Sequence, residues 1–137
     1  MAHLPLGQSL ERRFRVTHDR TAAAIFERDG ADQLQMPAVW STPDMIAMME
    51  AVAAVLVATH LDPGQITVGA RNEVNHLAAT PEGMEVRVRA TLAEVEGRKL
   101  TFAVEAYDPK EKVGEGTHIR YVVDGAKFAQ RLAAKQA

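Results

Sequence analysis

The sequence predicts an α+β fold in which an antiparallel sheet covers one buried helix. Three observations predict it. The stretch STPDMIAMMEAVAAVL, residues 41–56, is almost wholly apolar after Asp44, with Glu50 as its one charge. A helix apolar on nearly all sides must be enclosed by something. The stretch MEVRVRATL, residues 84–92, alternates cleanly: Met84, Val86, Val88, Ala90 and Leu92 on one side, Glu85, Arg87, Arg89 and Thr91 on the other. That period marks a half-buried strand. Four such extended segments follow the helix with short turns between them, the pattern of an antiparallel meander with one apolar face.

Taken in order, RRFRVTH (residues 12–18) alternates weakly and is read as a first strand, and residues 19–30 hold a short helix ended by Gly30. Residues 31–40 have no period and contain Pro37, so they are read as a loop. The long helix starts at Ser41 or Thr42, either of which can cap it. Pro43 suits the first helical position, and Asp44 complements the N-terminal dipole. It should run to Thr59 or His60, where LDPG (residues 61–64) supplies the stop. In residues 65–78, Ile66, Val68, Ala70, Val74 and His76 share one parity and should face one side. ATPEG (residues 79–83) reads as a turn and EGR (residues 96–98) as a hairpin turn. Leu100, Phe102, Val104 and Ala106 fall on one side of the next strand, DPKEK turns again, and residues 113–123 form the last strand. AKFAQRLAAKQA closes the chain as a helix.

All 137 residues are read as one domain, long enough to bury a core. The formal charge of −2 gives no sign of a nucleic-acid or polybasic membrane binder. With no cysteine, disulfide frameworks, zinc–thiolate sites and thiol nucleophiles are excluded, and a reducing cytoplasm is the expected compartment. The longest apolar run, Ala51–Ala58, is far below the roughly 20 residues of a membrane span, and no signal peptide is visible. No phosphate-cradling Gly-rich loop, zinc motif or nucleophile elbow occurs.

Glu50 is the first candidate for chemistry. An unpaired buried carboxylate costs several kcal/mol or takes up a proton, so it is a working group, an ion pair with Arg71 or Arg120, or a wet residue at a subunit interface. His76 shares the apolar parity of its strand near a sheet end. Alone it reads as a core histidine; beside a helix carboxylate it becomes a general acid–base or orienting group. Thr42 reads first as a helix cap. Its second reading is a hydroxyl that, with free first-turn N–H groups, holds a carbonyl or oxyanion. Its Cα lies ~12 Å along the helix from that of Glu50, which leaves room for a small acyl group between the side chains. Gly114, Gly116, His118 and Arg120 share a parity on the last strand. The glycines there, like Gly69, mark close packing or the approach of a ligand. Arg120 is a candidate for an anionic ligand or for Glu50.

TPDMIAMMEAV, VGARNEVNHLAATPEGMEVRVRATLAEVEGRKLTF and GEGTHIR together resemble the fluoroacetyl-CoA thioesterase and its relatives among hot-dog thioesterases, over residues 12–128. The resemblance implies a hot-dog fold, a sheet wrapped around the central helix. It implies hydrolysis of a small acyl-CoA, with CoA as part of the substrate and no further cofactor. It places the catalytic threonine, glutamate and histidine on Thr42, Glu50 and His76, a thioester-binding backbone on Gly69, and the last-strand arginine on Arg120. It also implies a homodimer with sites at the interface. One departure stands in the loop before the helix. The fluoroacetyl enzyme has aromatic lid residues where this chain has Gln33 and Met36, so the fluorine-selective lid does not carry over. Met36 and Trp40 are left as candidates to line an apolar acyl pocket. No Asp is followed five positions later by His, the arrangement of hot-dog hydratases. A non-catalytic acyl-CoA or small-acid binder is the alternative.

Overall fold

A computed structural model describes residues 3–137. Its strands are β1 (Ser9–Arg15), β2 (Gln65–His76), β3 (Glu85–Glu96), β4 (Lys99–Tyr107) and β5 (Lys112–Asp124). Its helices are α1 (Ala22–Arg28), α2 (Thr42–Ala58) and α3 (Gly125–Gln136). The first strand begins three residues earlier than expected. The loop before α2 also contains a single 3-10 turn at Asp32–Leu34.

The five strands form one antiparallel sheet in the order β1-β3-β4-β5-β2. The expected four-strand meander is therefore only three strands long, because β2 pairs with β5 at the far edge. The reason lies in residues 77–84, which are a crossover and not a hairpin turn. Trp40 donates its N–H to the Thr80 carbonyl at 2.7 Å, Val39 bridges Pro81, and Gly83 donates to the Val16 carbonyl at 2.8 Å. The buried Thr80 hydroxyl donates to Asp108 Oδ2 at 2.9 Å. These bonds stitch the crossover to the start of α2, to the end of β1 and to the β4–β5 turn. The β3–β4 turn is a two-residue hairpin loop as expected, with Gly97 at a φ of 62°. That conformation suits the first central position of a primed turn.

The alternating face of β3 and β4 packs on α2 through Val86, Val88, Ala90, Leu92, Leu100, Phe102, Val104 and Ala106, all essentially inaccessible. The helix answers with Met45, Met49, Val52, Ala53 and Val57. Each full burial of a Met or Val contributes roughly 1.5–3 kcal/mol, so this seam holds helix to sheet. The helix is not enclosed on all sides, however. Ala51 is exposed, Val55 is 45% exposed, and both line a shallow groove with Met48 and Arg12.

A bulge in β2 corrects the parity expected there. Gly69 pairs with Arg120, but the next pair is Arg71 with Ile119, so Ala70 is an extra residue. A one-residue slip moves every later side chain to the other face. Thr67 and Gly69 before the bulge, and Asn72, Val74 and His76 after it, meet the helix-facing side of β5. Ile66 and Val68 pair with Val123 and Tyr121 on the outer side.

Candidate active site

Two polar clusters lie along α2, both against β2. The first is at the helix start. Ser41 is the cap, its hydroxyl accepting the Asp44 N–H at 3.1 Å. Thr42 is thus the first helical residue and Pro43 the second, which corrects the reading of Thr42 as a cap. Its hydroxyl is free to bond His76, with Oγ1 and Nδ1 2.7 Å apart. Trp40 is fully buried behind this pair. Its ring meets the imidazole edge-on at 6.5 Å, and its indole N–H donates to Asp44 Oδ2 at 2.8 Å. Arg20 also donates to that carboxylate, at 3.1 Å. Burial lowers the His76 pKa below the ordinary histidine value, partly offset by the nearby Ala78 backbone, which forms no hydrogen bond of normal geometry with the ring. The imidazole is therefore neutral at neutral pH. His76 Nε2 has no hydrogen-bond partner, and among the described residues it is the one buried side-chain N or O atom in that state. Such an atom calls for a reason. An open cleft of about 430 Å³ is lined by Met36, Trp40, Thr42, Ala79 and the His76 ring.

The second cluster is two turns further on. Glu50 Oε1 accepts from Arg120 Nη1 at 3.3 Å, and Oε2 accepts from Asn72 Nδ2 at 3.1 Å. The carboxylate side chain stays 36% exposed while Arg120 is buried. Arg120 is itself held: Nε donates to Thr67 Oγ1 at 2.9 Å and Nη2 to the Thr67 carbonyl at 3.0 Å. His118 is completely buried and stacks on Phe102. Its Nδ1 lies 2.9 Å from the Arg71 carbonyl, which fixes that nitrogen as the donor. Nε2 then has a lone pair for Arg120 Nη1 at 3.2 Å, and it sits 3.8 Å from Glu50 Oε1. Burial lowers the pKa of His118 and of Arg120. For His118, a backbone hydrogen bond to Arg71 and the Glu50 charge act in the opposite direction. A guanidinium stays charged regardless, so the network is a cation, a neutral imidazole and a carboxylate. Arg71 pairs with Glu73 at 2.8 Å and takes no part as a cation.

The glycines divide between the two readings given them. A Cβ at Gly69 would come 2.5 Å from Glu50 Oε1 and 3.3 Å from Arg120 Nη1, so this glycine makes room for the carboxylate. A Cβ at Gly114 would meet Met45 Sδ at 2.5 Å, and one at Gly116 would strike the Glu73 backbone. Those two serve packing.

The fold thus joins Thr42, His76, Met36 and Trp40 at one place and Glu50, Gly69 and Arg120 at another. The imidazole beside Glu50 is His118, not His76. Sequence reasoning missed Asn72 and Thr67 and gave His118 no role. The parity of His118 with Arg120 was a usable signal; Asn72 and Thr67 gave none, because the bulge decides their side.

The profile of the fluoroacetyl-CoA-specific thioesterase family, FlK, matches residues 16–126. The fluoroacetyl-CoA thioesterase of Streptantibioticus cattleyicolor is 33% identical over 130 residues, 95% of this chain and 93% of that protein. The chain belongs to the fluoroacetyl-CoA-specific thioesterase family. A solved FlK structure superposes with a TM-score of 0.90 at 32% identity, covering 97% of this chain and 98% of that one. A hot-dog-like protein from Thermanaerovibrio acidaminovorans shares the fold, with a TM-score of 0.85 at 24% identity over 98% and 94% of the two chains. Membership in the FlK family bears out the expected hot-dog fold and the expected class, an acyl-CoA thioester hydrolase.

Proposed function

We propose that the protein hydrolyses a small acyl-CoA thioester to free acid and CoA, with Thr42, Glu50 and His76 as catalytic residues. The observation that carries this reading is the orphaned Nε2 of His76, on a ring that bonds the Thr42 hydroxyl and lines an apolar cleft, with Thr42 on the same helix as a held carboxylate. The Thr42 hydroxyl and first-turn N–H groups hold the thioester carbonyl. Glu50 takes a proton from water as it adds to the carbonyl carbon, or adds itself to give an acyl-enzyme that water then cleaves. The C–S bond breaks, and the leaving thiolate takes up a proton, the one Glu50 drew from water in the first route or one from solvent in the second. The neutral His76 is the relay, accepting on one ring nitrogen as it releases from the other. Gly69 gives its backbone to the thioester end, and Arg120 orients Glu50. Met36 and Trp40 bound the acyl side. CoA enters as part of the substrate and the chemistry draws on no cofactor. The substrate acyl group is small and need not be fluoroacetyl, because Gln33 and Met36 stand where the aromatic lid would be.

The working form is a homodimer. β2 is a twelve-residue edge strand, exposed from Gly69 to Glu73, and such an edge invites pairing across a two-fold axis. Glu50 and Gly69 sit next to that edge, so pairing would close their site. A monomer by light scattering at micromolar concentration contradicts this. Among the described residues no helix is long and apolar enough to cross a membrane. The cysteine-free chain suits the cytoplasm, where we place the reaction.

The Glu50–Arg120 contact favours a second reading, a non-catalytic acyl-CoA or small-acid binder in which Glu50 is a structural ion pair. A panel of short, branched and aromatic acyl-CoAs, assayed for free thiol, separates the two. Thiol release with turnover supports the hydrolase, and tight binding without thiol release supports the binder.

A further inference from the structure

A further cleft lies on the outer face of the sheet, on the side opposite the Glu50 cluster. It measures about 740 Å³ and lies between the end of β5 and α3. This is within the roughly 300–1,000 Å³ usual for small-molecule sites. Its floor is Tyr121, which is 38% exposed, and Val123. One wall is Arg98 of the β3–β4 turn, fixed to β5 by the Val122 N–H donating to the Arg98 carbonyl at 2.9 Å. The other wall is α3, anchored where Gly125 N–H meets the Gly64 carbonyl at 2.9 Å and Asp124 caps the Lys127 N–H at 2.9 Å.

A helix laid beside an apolar sheet face normally closes on it with its own apolar side. Here α3 has no buried residue, Leu132 is 51% exposed, and Lys127, Gln130, Arg131 and Ala134 line the cleft. Arg98, Lys127 and Arg131 thus surround the space, and among the described residues none has a carboxylate within ion-pair distance. Asp124, the one acid lining the cleft, is used by its cap. On a chain of net charge −2, three cations around one cleft with no ion pair among the described residues stand out from the background, although Arg131 also lies over the Phe128 ring at 5.9 Å. An aromatic floor with cationic walls matches a planar base carrying several phosphates.

We propose that this cleft binds a phosphorylated adenine nucleotide, with Tyr121 against the base and Arg98, Lys127 and Arg131 on the phosphates. Two sources share that chemistry: the nucleotide end of the acyl-CoA substrate, which rests on the hydrolase reading above, and a separate free nucleotide. Tyr121 follows Arg120 in β5 but faces the opposite side of the sheet. A single acyl-CoA would therefore pass its flexible arm round the sheet end at Gln65 and Asp124.

The probe is adenosine 3′,5′-bisphosphate, titrated calorimetrically into the full-length protein. Wild type should bind it, and Arg98→Glu/Lys127→Glu/Arg131→Glu should bind at least about tenfold more weakly, since three charge-assisted contacts are reversed. Tyr121→Ala, which leaves α3 untouched, should also weaken binding and guards against a triple variant that merely unfolds the helix. No binding by wild type, or equal binding by wild type and both variants, overturns the proposal. Kinetics assign the source. If the triple variant raises KM for acyl-CoA and leaves kcat and acyl-pantetheine hydrolysis unchanged, the nucleotide is the substrate's own. If KM for acyl-CoA does not move while bisphosphate binding is lost, the ligand is a separate nucleotide. Bisphosphate binding by a protein that hydrolyses neither thioester would sink the hydrolase reading and leave the cleft standing.

Discussion

The start and the middle of α2 carry equally polar side chains in opposite states. At the start, Thr42 and His76 satisfy each other through one hydrogen bond and leave Nε2 with nothing to bond. In the middle, both oxygens of Glu50 are occupied, by Arg120 and Asn72; Arg120 is held in turn by Thr67 and His118, and His118 by the Arg71 carbonyl. An unsatisfied buried nitrogen costs stability, and a ligand that bonded it would recover that cost. A fully satisfied network is stiff; it keeps a carboxylate aimed. The pairing teaches that Arg120 beside Glu50 is not by itself an argument for a structural ion pair. Held and idle look the same until the charge is removed.

Removing that charge has the largest expected effect. Glu50→Gln keeps the shape and the Asn72 contact, and kcat for thiol release should fall by about 10³–10⁴-fold, the upper range for a lost base or nucleophile. Wild-type rates with a lowered Tm would mean the pair is structural. His76→Ala comes next, with an expected loss of roughly 10²-fold in kcat; an unchanged rate would make the orphaned nitrogen incidental. Gly69→Ala tests the middle cluster without altering a charge. Its methyl would push on Glu50 Oε1, and a displaced carboxylate should cost roughly 10–100-fold in kcat with little change in Tm.

His118→Gln probes what stiffens the network, through pH. The folded pKa of His118 lies below its unfolded value. Its neutral form therefore supports folding above the unfolded pKa near 6.5. That support is lost as pH falls through the folded value, because only the unfolded chain then takes up the proton. Wild-type Tm should drop as pH falls below about 6.5, and His118→Gln should flatten the drop. His76 shares the sign, so some slope remains. The smallest effect is expected for Thr42→Ser, which keeps the hydroxyl that meets His76; kcat should change a few-fold at most, while loss of activity would show that the methyl group matters.

Much of this was readable in the chain because it is local. A cap, a proline and an acid at residues 41–44, then a run of apolar residues, specify α2. Strict alternation at residues 84–92 specifies β3. A lone Glu50 in such a helix is conspicuous for the same reason. What was not readable depends on pairing across long separations. Nothing near β2 says that its partner is β5, and the inserted Ala70 inverts which side chains reach the helix. Asn72 and Thr67 were therefore invisible as partners of Glu50 and Arg120. The ambiguity of Thr42 was a one-residue matter: either hydroxyl can cap, and only the Asp44 contact to Ser41 assigns the cap and frees Thr42.

The central claim is that both clusters act on one acyl group, and a crystal structure with a non-hydrolysable acyl-CoA analogue, a methylene in place of the thioester sulfur, tests it most directly. The expected result has the analogue's carbonyl oxygen at the Thr42 hydroxyl and its carbonyl carbon in contact with a Glu50 carboxylate oxygen, directly or through one water. An analogue seated in the helix-start cleft with Glu50 still closed against Arg120 and Asn72, and nothing between them, would contradict it.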